Sequence, residues 1–211
     1  MVVKPVAPKI PAQLAAWDDE ADDSLEIDRA AVSNLYVAGV TYANIDMSRL
    51  DHVSLTGLVL ERLEISDAVC TKLESAGLRG HKARLLRVQI SDSRMTGSEL
   101  GGGSFEDCTF RNIKFDEAGF RFATFKRVHF ENCMLRAADF GNARFTHVTF
   151  SSCDLTDTNF TSAHCSSVDI REQDIVAAKG VLGLKGATIS SEQLMQLAPL
   201  LAAELGFRLE D

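Results

Sequence analysis

The feature of this sequence that most limits its fold is an apolar residue at every fifth position. This column runs from Leu35 to Ile175, and only Ser75 and Gly80 interrupt it. A period of five matches neither the 3.6-residue period of a helix nor the two-residue period of a strand. It is typical of a repeat architecture, in which each short repeat stacks on its neighbour to build a shared core.

A second column of small or aliphatic residues lies two positions before the first. Two inward residues separated by one outward residue indicate a short strand, and the other two residues of each pentad would turn a corner. The order of the small residues returns after twenty positions, so four pentads make one coil. This is seen where Ala118, Ala123, Val128 and Cys133 are followed by Ala138, Ala143, Val148 and Cys153. The sequence therefore predicts a filled, four-sided tube of about seven coils.

Individual pentads such as Ala43-Asn44-Ile45 and Ala138-Asp139-Phe140 fit the motif A(D/N)LXX. With them, about two-thirds of the chain resembles the pentapeptide-repeat family. The resemblance implies an all-β fold, a right-handed quadrilateral β-helix, to which the C-terminal sequence adds a short helical cap. The repeat is a scaffold, so the resemblance defines the fold more closely than the function.

The two ends of the chain lie outside the repeat. We assign residues 1–24 to an N-terminal cap, residues 25–189 to the β-helix and residues 190–211 to a C-terminal helix and tail. Three prolines favour an extended path for the first part. Because the end of a β-helix exposes core side chains and unpaired strand edges, Trp17 is predicted to cover the opening of the first coil. A disordered acidic tail is the alternative.

An outward apolar row near the start of the repeat also needs a cover. Contiguous exposed apolar residues are unfavourable in water, so we expect either the N-terminal segment or a partner to shield them. The row consists of Val32, Val37, Tyr42 and Met47.

One irregular stretch of the repeat is predicted to leave the frame unchanged. Ser75 and Gly80 are small, but Leu73 and Leu78, two positions earlier, are large, so the volume of each layer is conserved. We therefore expect no projecting loop, with a small bulge at residues 78–82 as the alternative.

The second half of the repeat has a mostly phenylalanine core, from Phe105 to Phe160. Rings stacked at the spacing of one coil would fill the tube and make offset aromatic contacts. The run Gly101–Gly103 stays in phase just before it and is interpreted as a cramped corner.

The C-terminal part is predicted to be a helix that covers the other end of the tube. Ser190 and Gln193 have the spacing of a capping box, and Gly206 suits a helix stop. Pro199 lacks an N–H group, so we expect a kink or a second short helix there. Surplus apolar residues favour a homodimer through this helix. The candidate dimer residues are Leu194, Met195, Leu197, Leu200, Leu201 and Leu205.

The cysteines and histidines do not form a pattern typical of a catalytic or metal-binding site. All five cysteines fall on the inward columns and are predicted to be free core thiols, although the stacked Cys133 and Cys153 are within disulfide reach. All five histidines fall on outward positions without metal-ligand spacing. Phosphate-binding loops and nucleophile elbows are missing, and a filled tube has no internal pocket. We expect a protein that is not an enzyme and binds no cofactor or metal.

Composition limits the partners. A net charge of −8 argues against direct binding of nucleic acid, and no apolar run approaches the length of a membrane span. Because the N-terminus lacks the apolar region of a signal peptide, a cytoplasmic location is expected.

Function is therefore expected on the outer surface. One side of the tube is the most acidic, and carboxylates along a rod could imitate the phosphates of duplex DNA, although a solvated face is the simpler explanation. Phe122, an outward aromatic, could anchor a partner or pack in a dimer. The candidate interaction surface consists of Glu74, Asp116, Glu117, Phe122, Asp154, Asp157 and Asp174.

Two functions from different classes remain open. The first is a general interaction scaffold for a protein partner. The second follows from a resemblance, in size, tube and the segment GLKGATIS before a leucine-rich helix, to the Qnr-type and mycobacterial-type quinolone-resistance members of the family. That resemblance implies a homodimeric DNA mimic that binds DNA gyrase. Qnr-type proteins also carry loops projecting from the coils, and this frame has no insertion.

Overall fold

The computed structural model describes residues 3–17, 23–171, 173, 175 and 177–208. Within these residues, twelve strands join in one continuous parallel sheet. A 3-10 helix, Val181–Leu184, lies between the last two strands, and the helix α1, Ser191–Glu204, follows the last strand. The strands are β1 (Ala15–Ala16), β2 (Ser24–Asp28), β3 (Ala30–Tyr36), β4 (Tyr42–Asp46), β5 (Arg49–Ser54), β6 (Arg62–Thr71), β7 (Arg84–Ser91), β8 (Ser104–Arg111), β9 (Thr124–Glu131), β10 (Arg144–Ser151), β11 (His164–Asp169) and β12 (Ala187–Thr188).

Each coil pairs with the next on four sides. Two sides belong to the long strands, as in the pairs Glu64↔Arg84 and Val69↔Gln89 between β6 and β7. The other two are single bridges, such as Glu74↔Arg94. All these partners are twenty residues apart, so the predicted four-sided β-helix is confirmed. The solenoid has about eight turns, and not the predicted seven, because β2 and the first part of β3 lie before Leu35, where the apolar column begins.

From Asp67 to Ser167, every corner uses a left-handed residue. Gly57, Gly77 and Gly97, at one fixed corner of successive coils, have φ values of 70°, 65° and 64°. The other corners adopt the same conformation with larger side chains, for example Phe122 at 61° and Arg127 at 53°. A corner of this kind turns the chain while both inward side chains of the pentad stay in the core.

The first coil is two residues shorter than the regular twenty-residue coils. Leu25 pairs with Ala43 and Ala31 with Arg49, so the register there is eighteen residues. This shift corrects the predicted frame: Val32 and Val37 point inward and are 4% and 2% exposed, whereas they were expected to face outward. The predicted exposed row is thus reduced to Tyr42, which is exposed, and the half-buried Met47. At the same opening, Trp17 packs against the core as predicted.

The phenylalanine core stacks along the axis and makes edge contacts within each coil. Phe105 and Phe125 stack with ring centroids 4.8 Å apart, and Phe125 stacks on Phe145 at 5.2 Å. Phe110 and Phe115, on adjacent sides, meet edge to face at 5.5 Å. Both geometries are favoured by the aromatic quadrupole, so the predicted aromatic filling is confirmed.

The irregular stretch keeps the frame, as predicted. Ser75 and Gly80 are buried, and their N–H groups donate to Arg94 and Glu99 one coil later, so no loop projects. Gly103 takes an inward position where other coils carry Ala or Leu. A Cβ atom there would lie 2.9 Å from the Leu100 carbonyl oxygen, which confirms the cramped packing.

The C-terminal helix is fixed to the tube near both of its ends. The predicted capping box is present, since the Ser190 hydroxyl accepts from the Gln193 N–H and the Gln193 amide accepts from the Ser190 N–H. The buried Gln193 Nε2 also donates to the carbonyls of Ile170 and Gln173 at 2.6 and 2.9 Å. At the other end, the Glu204 carboxylate accepts the first N–H groups of the 3-10 helix. A second helix does not begin at Pro199, because α1 continues to Glu204.

Candidate protein-interaction surfaces

The predicted acidic side is divided by bases. Glu74 and Asp154 lie on the same side of the tube, but the bridge ladder between them passes through Arg94, Lys114 and Met134. Arg136 pairs with Asp154 at 3.1 Å. The carboxylates on this side therefore form separate groups and not a continuous stripe.

Three other predicted carboxylates lie closer together. Glu117 and Asp157 are left-handed corner residues two coils apart, with Ala137 between them, and Asp116 is adjacent to Glu117. The side chains of Glu117 and Asp157 are exposed. Asp174, the remaining predicted member, lies outside the described residues.

Phe122 lies at a different corner from the acidic side chains. It is 62% exposed, and the Arg121 guanidinium lies over its ring, 5.5 Å from the centroid. Arg121 is itself paired with Asp139 at 3.2 Å. The corner positions one coil before and after Phe122 are Gly102 and Asn142, two residue types that tolerate positive φ, so the aromatic ring stands above small neighbours.

A second corner, which we call the charged corner, carries Asp67, Arg87, Asp107 and Arg127 on four successive coils. Arg87 donates to both carboxylate oxygens of Asp67, at 2.7 and 2.5 Å. Arg127 donates to both oxygens of Asp107, at 2.6 Å each. These hydrogen bonds lower the pKa of both aspartates below the usual range for a carboxyl group.

Residues 3–11, the N-terminal strap, run along the charged corner. The Lys9 N–H donates to Asp67 Oδ1 at 2.7 Å and the Val6 N–H donates to Asp107 Oδ1 at 3.0 Å. A groove of about 540 Å³ lies between the strap and the adjacent side of the tube. Its floor includes the outward residues Val69, Gln89, Thr109, His129 and Thr149.

The exposed face of α1 is apolar. Leu197 is buried against the tube, and Leu200 and Leu201 are half-buried against the same core. Leu194 and Met195 face away from the tube and are 51% and 77% exposed, and the C-cap residue Leu205 is 60% exposed.

The thiols and imidazoles offer little chemistry. All five cysteines are free, and burial raises the pKa of Cys70 and Cys108 to about 12 and that of Cys165 to about 11. Such thiols are poor nucleophiles at neutral pH. Burial also lowers the pKa of His129. The described part of the chain contains no cluster of side chains suited to a metal ion, and no helix in it is long and apolar enough to cross a bilayer.

A family model described as the pentapeptide repeat region matches residues 103–179. These residues belong to the pentapeptide-repeat family. The predicted family is therefore confirmed, and the matched residues comprise the phenylalanine-rich half of the tube. A comparison with curated protein sequences finds no match.

Solved pentapeptide-repeat structures resemble the tube at low identity. A trypsin-treated variant of QnrB1, a plasmid-mediated fluoroquinolone resistance protein, is 16% identical with a TM-score of 0.40, over 94% of this chain and all of that one. Full-length QnrB1 is 15% identical with a TM-score of 0.33, over 87% of this chain and all of that one. HetL, involved in heterocyst differentiation regulation in the cyanobacterium Nostoc, is 16% identical with a TM-score of 0.36, over 82% of this chain and 92% of that one.

The charged corner of the tube was not predicted from the sequence. Its signal is present, because aspartate and arginine alternate at a spacing of twenty residues, the length of one coil. The strap also has a signal, a proline at every third residue. Summing charge over whole sides of the tube hides the first signal, since opposite charges in one column cancel.

Proposed function

We propose that this pentapeptide-repeat protein is a non-enzymatic scaffold that binds a partner protein on its outer surface, with Phe122 as the anchor. The observation that supports this most strongly is the exposure of Phe122, whose apolar ring is 62% exposed in the middle of the tube. The same left-handed corner carries Gly102 one coil before and Asn142 one coil after, so the large aromatic side chain is not needed to form the corner. An exposed aromatic ring backed by an arginine is also the kind of residue that dominates binding energy at interfaces.

An affinity experiment tests this proposal. Immobilised wild-type protein, Phe122→Asn and Tyr42→Asn are compared for the proteins they retain from a cell lysate. Tyr42 is a matched control because it is another exposed aromatic, on a coil distant from Phe122. We expect one protein to be retained by the wild type and by Tyr42→Asn and lost with Phe122→Asn. Retention unchanged by Phe122→Asn would exclude Phe122 as the anchor.

The alternative function is a DNA mimic that binds DNA gyrase or a related topoisomerase and protects it from fluoroquinolones. The clustering of Asp116, Glu117 and Asp157 favours it, because exposed carboxylates can occupy a basic DNA-binding surface. The bases between Glu74 and Asp154 weaken it, since they break the negative strip.

A supercoiling assay separates the two functions. Gyrase is assayed with and without a fluoroquinolone, in the presence of the wild type, of Asp116→Asn/Glu117→Gln/Asp157→Asn, or of Glu61→Gln/Glu64→Gln as a charge-removal control on other sides of the tube. DNA mimicry predicts an effect of the wild type and the control that the triple variant loses. No effect at large molar excess of wild type excludes this alternative.

We also propose a homodimer through α1 and a cytoplasmic location. The apolar face of Leu194, Met195 and Leu205 supports a dimer, since an unpartnered apolar helix face favours burial against a second copy. Light scattering tests it with Met195→Glu, and Gln196→Glu is the matched control because it adds the same charge at the next residue, off that face. We expect Gln196→Glu to remain a dimer and Met195→Glu to be a monomer. A monomeric wild type would exclude this dimer.

A further inference from the structure

The proline spacing of the N-terminal strap matches the coil spacing of the tube. Pro5, Pro8 and Pro11 favour a polyproline-II path, which has three residues per turn and rises ~3.1 Å per residue, or ~9.3 Å per turn. Adjacent coils are ~4.8 Å apart, so side chains two coils apart are separated by ~9.6 Å. Strap residues three positions apart therefore lie opposite equivalent tube residues two coils apart.

The hydrogen bonds of the strap follow this match. Val6 and Lys9 are one polyproline-II turn apart, and their N–H groups donate to Asp107 and Asp67, which are two coils apart. A polyproline-II segment makes no internal hydrogen bonds, so these donors are free for an external acceptor. Each carboxylate is held in place by the arginine one coil later. Its Oδ1 atom is therefore an acceptor at a fixed position, and it accepts a hydrogen bond from a backbone N–H of the strap.

The acceptor column continues beyond the strap's two hydrogen bonds. His147 lies at the same corner, two coils after Asp107, and adopts the same left-handed conformation with φ of 56°. Its Nδ1 atom is buried and has no hydrogen-bond partner within the described part of the chain. In the tautomer with hydrogen on Nε2, this atom accepts a hydrogen bond. Acceptors thus recur at Asp67, Asp107 and His147, at the pitch of a polyproline-II helix.

We propose that the charged corner, extended to His147, is a docking track for a proline-rich segment of a partner protein, with a proline at every third residue, and that the strap occupies this track in the free molecule. The strap is a weak occupant, because two backbone hydrogen bonds hold it to the acceptors described and Val3 and Val6 are each about half exposed. Val3 lies one turn before Val6, but the strap leaves His147 Nδ1 without a hydrogen-bond partner among the described residues. A partner segment that donates to this atom gains a third hydrogen bond. This surface is separate from Phe122, so the proposal is independent of the proposed anchor.

Peptide binding to the full-length chain tests the track. The variant Val6→Pro/Lys9→Pro keeps the extended path of the strap but removes both N–H donors, which vacates the acceptors. The probe is a fluorescent, N-acetylated peptide of residues 3–12, followed by anisotropy. We expect saturable binding to this variant and about tenfold weaker binding to the wild type, because the tethered strap competes. Ala7→Pro is the matched control: it adds a proline, keeps both donors and should bind the peptide as weakly as the wild type.

A second peptide isolates the hydrogen bonds. N-methylation at Val6 and Lys9 preserves length, charge and prolines but blocks the two donors, and binding to the vacated track should be lost. The N-acetylated peptide already contains the Val3 N–H, one polyproline-II turn before Val6 and so opposite His147. A peptide that begins at Lys4 should therefore bind about threefold more weakly, and this loss should vanish in a His147→Ala background.

Three outcomes would overturn the proposal: no saturable binding to Val6→Pro/Lys9→Pro, equal binding of the N-methylated peptide, or wild-type dimers in light scattering that Ala7→Pro retains and Val6→Pro/Lys9→Pro loses. The last result would show that a second copy of the chain, and not a partner protein, supplies the segment.

Discussion

Arg127 and Asp107, on adjacent coils of the same corner, are joined by two parallel hydrogen bonds of 2.6 Å each. The Asp107 side chain is 6% exposed and that of Arg127 is 22% exposed. A paired geometry with so little solvent is unusual on the outside of a tube, and the strap contributes to it by covering Asp107. The pair therefore links the stability of the middle coils to the seating of the N-terminus.

Replacing Asp107 with Asn should destabilise the protein by about 1.5–3 kcal/mol, because Arg127 loses its bidentate partner and keeps only the hydrogen bond to Glu106, at 2.6 Å. Urea unfolding measures the change. Glu131→Gln is the control, since it removes the partner of Arg111 in a pair whose side chains are both more than a third exposed, and it should cost less than about 1 kcal/mol. Equal midpoints for the two variants would contradict a structural role for the charged corner.

The charged corner should also make stability depend on acid. Hydrogen bonds from Arg87 and Arg127 lower the pKa of Asp67 and Asp107 in the folded state, so the unfolded chain takes up protons first as the pH falls. The stabilisation is complete above the unfolded carboxyl pKa of about 3.9 and is lost as the pH falls through the folded values. Urea midpoints measured from pH 6 to pH 2 should decrease steeply for the wild type. They should decrease less for Asp67→Asn/Asp107→Asn, and parallel curves would refute this origin.

Relieving the strain at Phe122 should stabilise the tube. Asn tolerates the left-handed conformation better than Phe, so Phe122→Asn should raise the free energy of unfolding by about 0.5–1 kcal/mol. Asn142→Phe, the reverse change at the same corner one coil later, should lower it by a similar amount. Thermal unfolding of both variants measures the effect. A less stable Phe122→Asn would mean that the contact with Arg121 outweighs the backbone strain.

Gly103 should be intolerant of even one methyl group. Its Cβ would lie 2.9 Å from the Leu100 carbonyl oxygen and 3.0 Å from the Phe105 ring. Gly103→Ala should therefore cost about 1–3 kcal/mol through overpacking. Gly119→Ala is the matched control, because the nearest atom to its Cβ is 3.9 Å away. If the two variants have the same melting temperature, the core at Gly103 adapts without cost.

The residues that could be predicted from the sequence are those whose environment repeats. Phe125 and Phe145 occupy identical positions on successive coils, so one pentad pattern predicts both. Val32 and Val37 were assigned to the wrong face because two residues are missing from the first coil, and the shift is detectable only through strand pairing. Neither does periodicity predict contacts between non-repeat and repeat residues: the hydrogen bond from Lys9 to Asp67 spans 58 positions and depends on where the strap lies in space.

The last prediction concerns Gln193, which fastens α1 to the end of the tube. Its buried amide donates to the Ile170 and Gln173 carbonyls, so Gln193→Ala leaves two carbonyls without this donor and breaks one half of the capping box. Because each coil of a solenoid contacts only its neighbours, the loss should stay local. Hydrogen exchange should accelerate at least tenfold in residues 164–188 and remain unchanged in β8 and β9. Gln196→Ala, at an exposed position of the same helix, should leave both regions protected. Acceleration spread evenly over the whole tube would show that the coils unfold as one unit and that the cap is not an independent element.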